Sequence, residues 1–397
     1  MQTLTAAART GGTTQHLAPT ALAEWLARAD IRIDGPRPWD LQLHRPRLFG
    51  RVLRHWSLGL GEAYMDGDWD CEQLDEFFTR LLRLRADSHP AGWGRLKLAW
   101  ALLSAGWHNP QAPDRAYRVA ERHYDLGNDL FEQMLDTRMV YSCGYWASAR
   151  TLEQAQLDKL EMICRKLQLA PGMTLLDIGC GWGGLARHAA LHHGAQVTGI
   201  TVSKEQAQHV QRWCAGLPVT VHLMDYRALQ GRFERIASVG MFEHVGPKNH
   251  GTYLDAASRL LADDGLFLLH TIGTDRPTGR TDPWIERYIF PGGHLPSASE
   301  LARAAESRFV IEDWHNFGTD YDRTLMHWHA RFEAAWPDLK TRYSERFRRM
   351  WRYYLLSCAG FFRSRQGQLW QLVLAKPQRT DPYRSIRPFC LTDQGKP

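Results

Sequence analysis

The chain has 397 residues, of which 44% are hydrophobic and 23% charged, and a formal net charge of +6. That balance excludes a disordered polar chain and allows one large core with an appended domain. The positive charge is mild and dispersed, so it does not by itself indicate nucleic acid, and it suits an anionic membrane surface or a phosphate-bearing substrate equally well.

Residues 1–14 are rich in Thr, Gly and Ala. They read as a disordered N-terminus that lacks the apolar stretch of a signal peptide. Residues 15–108 read as a smaller, mostly helical domain. It begins with a short helix over 21–29 and an αβ unit turned at Pro36 and Pro38. A glycine-punctuated run from Gly59 to Gly67 follows, then a helix over 74–84. Trp93, Trp100 and Trp107 recur every seven residues and so share a helix face. That pattern fits an ordinary packing helix before it fits one that presses tryptophan into lipid. Residues 109–122, with Pro110 and Pro113, read as a linker. No apolar run approaches the ~18 residues of a spanning helix.

From 123 to 380 the pattern alternates strand and helix. Strands are predicted over 173–178, 196–201, 219–224, 235–240, 265–272, 309–316 and 368–375. Helices fill the gaps, for example over 203–213 and 250–261, and a long helical insertion covers 324–362. Such alternation predicts an α/β doubly wound parallel sheet. Residues 381–397 form a C-terminal tail.

The glycine turn after the first of these strands is the most informative segment: Asp177-Ile178-Gly179-Cys180-Gly181-Trp182-Gly183-Gly184. Its spacing fits G-x-G-x-x-G, which alone would suggest a dinucleotide. Two details favour S-adenosylmethionine instead. Asp177 precedes the first glycine, and about 20 residues on, where a nicotinamide site wants an acid, the chain reads Gly199-Ile200-Thr201-Val202-Ser203. The seven cysteines show no C-x-x-C and irregular spacing, so neither a disulfide framework nor a zinc site is expected. His327 and His329 lie two apart on a predicted helix and do not share a face, so no metal is assigned there.

Further motifs sharpen the reading: His123-Tyr124-Asp125-Leu126-Gly127-Asn128, Tyr141-Ser142-Cys143-Gly144-Tyr145-Trp146, Gly240-Met241-Phe242-Glu243-His244-Val245-Gly246, Leu269-His270-Thr271-Ile272-Gly273, Tyr288-Ile289-Phe290-Pro291-Gly292-Gly293 and Asp313-Trp314-His315-Asn316-Phe317-Gly318. Together, and in this order, they resemble the cyclopropane-fatty-acyl-phospholipid synthase family from about residue 15 to residue 375. The resemblance implies a class I methyltransferase with a Rossmann-like seven-stranded sheet. It implies transfer of the methyl carbon of S-adenosylmethionine onto a cis double bond of a membrane phospholipid acyl chain, with ring closure by loss of a proton to a bound bicarbonate ion. The family's bicarbonate-holding positions match Cys143, Glu243, His270, Ile272 and Tyr321, and a further cysteine that affects activity matches Cys358.

By the same resemblance, Tyr141 and Ser142 cover the sulfonium end of the cofactor. Asp177, Gly179, Gly181 and Gly183 line its methionine and ribose. Thr201, Ser203 and Gln206 meet the ribose and adenine, Gln206 standing in for the acid usual at the end of the second strand, and Asp225 and Tyr226 complete the set. It further implies a homodimer acting in the cytoplasm at the inner membrane surface, with no nucleic-acid partner.

The chemistry suits these residue types. An alkene is a poor nucleophile that must be placed in line with the methyl donor. Aromatic faces can stabilise the resulting cationic carbon; Tyr141, Tyr145, Trp146, Tyr288, Phe290, Phe317 and Tyr321 are available. His270, Tyr321 and backbone N–H groups of 269–273 can donate to bicarbonate, and Glu243 can accept its hydroxyl hydrogen or take the proton itself. Bland readings stand beside these: Glu243 and His244 as a polar loop with a helix cap, His270 as a core histidine, Cys143 and Cys358 as packing thiols. Arg342, Arg346, Arg348, Arg349 and Arg352 could meet lipid phosphates or form a solvated face. A lipid alkene methyltransferase giving a methyl- or methylene-branched chain is the alternative activity; a lipid-binding module without catalysis is the alternative class.

Overall fold

The computed structural model describes residues 20–84 and 127–386. The expected disordered N-terminus, the Trp93/Trp100/Trp107 stripe, the linker, the start of the His123 motif and the end of the tail lie outside the described residues. Among the described residues no helix is long and apolar enough to cross a membrane.

The N-terminal unit holds α1 (Thr20–Arg28), β1 (Gln42–Leu43), α2 (Arg47–Met65), β2 (Trp69–Asp70) and α3 (Leu74–Arg83). The two short strands pair antiparallel. After it come α4 (Asn128–Met134) and α5 (Leu152–Lys166), capped by the Thr151 hydroxyl accepting from the Gln154 amide. Then β3 (Thr174–Ile178), α6 (Gly184–His193), β4 (Gln196–Thr201), α7 (Lys204–Trp213), β5 (Val219–Leu223), β6 (Phe233–Val239), α8 (His250–Leu260) and β7 (Leu261–Thr274) alternate as expected. The chain ends with α9 (Pro283–Tyr288), α10 (Ala298–Ala305), β8 (Val310–Asn316), α11 (Thr319–Leu339), α12 (Glu345–Arg363) and β9 (Gly367–Ala375).

The seven strands β3–β9 form one sheet in the order β5-β4-β3-β6-β7-β9-β8. The β3, β4, β5, β6 and β7 neighbours pair in parallel. The sheet is not parallel throughout, however: β9 runs antiparallel to both β7 and β8. The reason lies in the insertion. The helical pair α11 and α12 leaves the sheet at Asn316 and returns at Gly367, and Asn316 pairs with Trp370 near that same end. A chain that re-enters where it left must run the other way. The central strands carry apolar residues on both faces, as in Leu266–Leu269 of β7, because helices cover both sides.

The N-terminal unit shares one core with the helical insertion. Trp69, Phe77 and Tyr64 pack into the cluster that holds Trp284, Trp328, Trp351 and Tyr354. Helices α3 and α12 meet at Gly360, where a Cβ would lie 2.7 Å from the Phe78 Cβ and 2.8 Å from the Asp75 carbonyl oxygen. We expect Gly360→Val to force the pair apart and destabilise the fold by about 1–3 kcal/mol, as overpacking does; denaturant unfolding with an unchanged midpoint would contradict this.

This docking gives the arginine cluster partners within the chain. Arg346 and Arg349 pair with Asp66 and Asp70 at 2.9 and 2.7 Å, and Arg349 also donates to the Tyr64 and Trp69 carbonyls. Arg348 binds Glu333, Arg342 binds Asp129 at 2.8 Å, and Arg352 donates to the Glu72 carbonyl. Carboxylates and carbonyls of this chain thus pair with all five guanidinium groups. Several of these partners belong to the N-terminal unit, so the cluster acts largely as a clamp between it and α12.

Candidate active site

A cavity opens at the carboxyl ends of β3, β4 and β6, where α/β sheets bind ligands. The glycine turn forms its floor. Gly179 and Gly181 line it with φ of +79° and +54°, conformations a side chain resists. Gly183 does not line it. That glycine sits at φ +89° as the N-cap of α6, where a Cβ would lie 3.0 Å from a Val210 methyl of α7, and Gly184 touches the cavity instead. Spacing marks a glycine turn but does not say which face each glycine shows.

Asp177, next to last in β3, stands in the cavity wall. It is buried, and its Oδ2 has no hydrogen-bond partner among the described residues. Burial pushes its carboxyl up to about 7, against the opposing pull of the Lys159 ammonium. An acid held in this way lacks a donor, which hydroxyls of a ribose or the amino group of a methionine would supply. The folded carboxyl binds its proton more tightly than the unfolded one, so stability falls as pH rises from about 4 through 7. Asp177→Asn should therefore gain stability relative to wild type across that window, by a few kcal/mol at most, in the ligand-free protein. A difference that fails to grow between pH 5 and pH 8 would contradict this.

At the end of β4 the Thr201 hydroxyl donates to Gln206 Oε1 at 2.7 Å, and Ser203 caps α7 by accepting from the Gln206 amide. All three line the cavity. With Oε1 engaged, the side-chain nitrogen of Gln206 remains for a ligand. Asp225 and Tyr226 also line it, but the Asp225 carboxylate is held by Arg227, Nε to Oδ1 at 2.7 Å and Nη2 to Oδ2 at 2.8 Å. Tyr141 and Ser142 close the opposite side. The Tyr141 and Tyr354 hydroxyls lie 2.8 Å apart. Lys159, a residue the sequence reading did not select, donates to the Ser142 hydroxyl at 2.9 Å from a fully buried position. Burial lowers its ammonium to about 8, opposed by Asp136. Met241, His244 and Phe290 complete an apolar side. The set fits S-adenosylmethionine: glycine backbone, buried acid, amide and hydroxyl groups beside apolar walls.

The residues matched to bicarbonate gather next to this cavity rather than in its wall. Glu243 lies on a 3₁₀ turn after β6, between cavity-lining Met241 and His244. Its Oε1 accepts from the Ile272 amide at 2.7 Å, and its Oε2 is buried with no partner among the described residues. Burial raises this carboxyl to about 7. The Ile272 amide, expected among the donors to bicarbonate, is thus engaged by Glu243: a buried carboxylate takes the nearest N–H. His270 Nε2 is likewise buried and unpartnered. Cys143, Tyr145 and Phe317 pack together with Ile272 and Tyr321 against them. The Cys143 thiol donates to the Gly144 carbonyl at 3.1 Å, and burial pushes its pKa well up, so it stays a neutral thiol.

An unpaired buried acceptor and an unpaired buried histidine nitrogen are what a bicarbonate ion, itself both donor and acceptor, would complement. Cys358 stands on α12 against the helical core, its thiol pushed up to about 12 by burial, which fits packing better than reaction. Thr324 went unrecognised in the sequence. It accepts from the Gly144 amide and from Trp146 Nε1 at 3.0 and 2.9 Å and donates to the Asp320 carbonyl, fixing the Cys143 segment to α11.

Elsewhere, ligating atoms of Cys164, His188 and His193 lie within 4.8 Å of one another. Glu161 Oε2 sits 3.2 and 3.0 Å from the two Nε2 atoms and satisfies both rings as donors.

Residues 111–372 match the family model for mycolic acid cyclopropane synthetase. The cyclopropane-fatty-acyl-phospholipid synthase of Escherichia coli K12 is 53% identical over 353 residues, covering 89% of this chain and 92% of its own. The chain belongs to the cyclopropane synthetase family. It is by that membership an S-adenosylmethionine-dependent methyltransferase. A probable fatty acid methyltransferase of Pseudomonas putida is 40% identical, covering 86% of this chain and 89% of its own. Among solved structures, the cyclopropane synthase MmaA2 from Mycobacterium tuberculosis superposes with a TM-score of 0.62 at 33% identity, covering 66% of this chain and 98% of its own. The mycolic acid cyclopropane synthase CmaA1, solved with S-adenosylhomocysteine (SAH), gives the same TM-score at 34% identity over the same shares. The fold is that of the class I methyltransferases.

Proposed function

We propose that this enzyme adds the methyl carbon of S-adenosylmethionine to the cis double bond of an unsaturated phospholipid acyl chain and closes a cyclopropane ring, with bicarbonate as proton acceptor. One observation carries the reading. Met241 and His244 of the turn bearing Glu243 line the cofactor cavity, while the Glu243 side chain is buried against the Ile272 amide and leaves Oε2 without a partner among the described residues. This supports a reading in which the methyl donor and the proton acceptor would lie on either side of that turn.

Bound S-adenosylmethionine supplies an electrophilic methyl carbon. Asp177, Gln206 and the glycine turn hold its polar ends, and Tyr141 and Phe290 offer aromatic faces to a cationic chain carbon. When bound, bicarbonate would supply a weak base, which is enough for a proton on so acidic a cation. If bicarbonate binds here, Glu243 Oε2 would accept its hydroxyl hydrogen and His270 and Tyr321 would donate to its charged oxygens, away from water that would weaken each bond. Cys143 and Ile272 would pack beside it. On the same reading, residues 15–108 form a lipid-associated domain and 123–380 the catalytic domain, and the enzyme works as a homodimer at the inner surface of the membrane.

Carbon dioxide depletion tests the anion. Turnover in degassed, bicarbonate-free buffer should fall severalfold and recover when millimolar bicarbonate is restored. Equal rates in both buffers would remove bicarbonate from the mechanism.

A further inference from the structure

We propose that Gln371 and Lys166 are positioning residues that fix the tautomer of His270, so that its Nε2 carries the proton and faces the active centre as a donor. The proposal deepens the bicarbonate reading above and rests on it for its catalytic meaning.

Strand register makes the arrangement. On β9, Gln371 pairs directly with His270 of β7 on one side and with His315 of β8 on the other. Lys166, the last residue of α5, comes up beneath this row. Its ammonium lies 2.9 Å from Gln371 Oε1, 3.1 Å from His315 Nδ1 and 3.5 Å from Asp313 Oδ2. Asp313 in turn accepts from the Ser385 hydroxyl at 3.0 Å. Lys166, Gln371 and His270 are all buried, with exposures of 0%, 0% and 1%.

The polarity follows step by step. An ammonium has three donors and no acceptor, so it must meet the oxygen of the Gln371 amide. The amide nitrogen then faces His270, whose Nδ1 lies 3.2 Å away. That NH₂ group can only donate, so Nδ1 must present its lone pair. A neutral imidazole with a lone pair at Nδ1 carries its hydrogen at Nε2. Burial keeps the ring neutral, with the Lys159 and Lys166 charges adding to the effect. The Nε2 atom is the one left without a partner among the described residues. Reversing the amide would press two donors together at Lys166 and turn Nε2 into a lone pair, which repels an oxyanion. The sign of His270 toward the anion is thus decided by a residue that touches neither substrate nor cofactor cavity.

The test is the ring's protonation, read by long-range ¹⁵N–¹H NMR on the full-length protein labelled at histidine, with His270→Gln used for assignment. Wild type should show His270 with an unprotonated Nδ1. Gln371→Glu, nearly isosteric, keeps the bond to Lys166 and sets an oxygen against Nδ1, so the proton should move there. Lys166→Met frees the amide to turn and should give a mixture. In both variants kcat should fall by about tenfold or more, with KM for S-adenosylmethionine unchanged. A wild-type ring protonated at Nδ1 would overturn the proposal, as would an unmoved tautomer in both variants. If the tautomer shifts and kcat falls but bicarbonate depletion has no effect on wild type, the relay stands and the identity of the anion is what fails.

Discussion

Glu243→Gln is expected to cut turnover by about 10²–10³-fold while S-adenosylmethionine binds within about twofold of wild type. The substitution is isosteric. Its carbonyl oxygen can still accept from the Ile272 amide, so the 2.7 Å bond that anchors the side chain survives. The change is confined to the second oxygen, which is buried and unpartnered among the described residues. There an acceptor becomes an NH₂ donor, and the hydroxyl hydrogen of a bound bicarbonate meets a like pole. Cofactor affinity is spared because Glu243 is not part of the cofactor cavity wall. The pH profile gives a second readout. Burial raises the Glu243 carboxyl to about 7, and a protonated carboxyl donates at the atom that must accept. Wild-type kcat should decline as pH falls through about 7, and the residual activity of the variant should lack that limb. Calorimetric titration of the cofactor together with kcat separates the two effects. Unchanged product formation would remove Glu243 from the chemistry, and a lost cofactor site would assign it to binding.

Gly179→Val should abolish cofactor binding, lowering affinity by about 100-fold or more. Two costs coincide at this position. Gly179 holds φ +79°, where an L side chain loses about 1–2 kcal/mol, and a β-branched one more. Any Cβ would also lie 2.9 Å from the Met241 Cβ, so the β6 turn must move. Met241 lines the cavity and lies two residues before Glu243, so this movement reaches both reactant sites. Gly181 is the control. Its φ is +54° with nothing within 4 Å, so Gly181→Ala should cost only about 1 kcal/mol of stability. Thermal unfolding with and without S-adenosylmethionine reads both terms, since a bound ligand raises the midpoint in proportion to the logarithm of its saturation. A Gly179→Val protein that is stabilised by cofactor like wild type would contradict the geometry.

How far these features could be read in the sequence follows from their physics. Strand positions were legible because continuous apolar runs ended in glycine or polar turns, and β4 falls where its pattern placed it. The direction of β9 was not, since it depends on where a two-helix excursion returns. Asp177, Gly179 and Gly181 were legible because a glycine turn after a strand has few uses. Gly183 shares that spacing, yet there a Cβ would meet Val210 of α7, a contact that spacing does not reveal. Lys159 and Thr324 were invisible: each sits inside a helix, and only the neighbours across the fold, Ser142 and Gly144, give them meaning. The partners of Arg346 and Arg349 were illegible because Asp66 and Asp70 lie some 280 residues away in the chain. Gln371 gave no signal of its role within a nearly continuous apolar strand, because that role comes from cross-strand register with His270.

The central claim is that one cavity brings a sulfonium methyl and a lipid alkene together beside a buried anion site. Incubation of the purified protein with vesicles of monounsaturated phospholipid and methyl-labelled S-adenosylmethionine, followed by mass spectrometry of the acyl chains, tests it most directly. The account predicts label in the acyl chain, a mass gain of one methylene (about 14 Da) and loss of the alkene as judged by resistance to ozonolysis. A labelled chain that still cleaves with ozone would mean methylation without ring closure, and unlabelled lipid in the presence of bound cofactor would contradict the account.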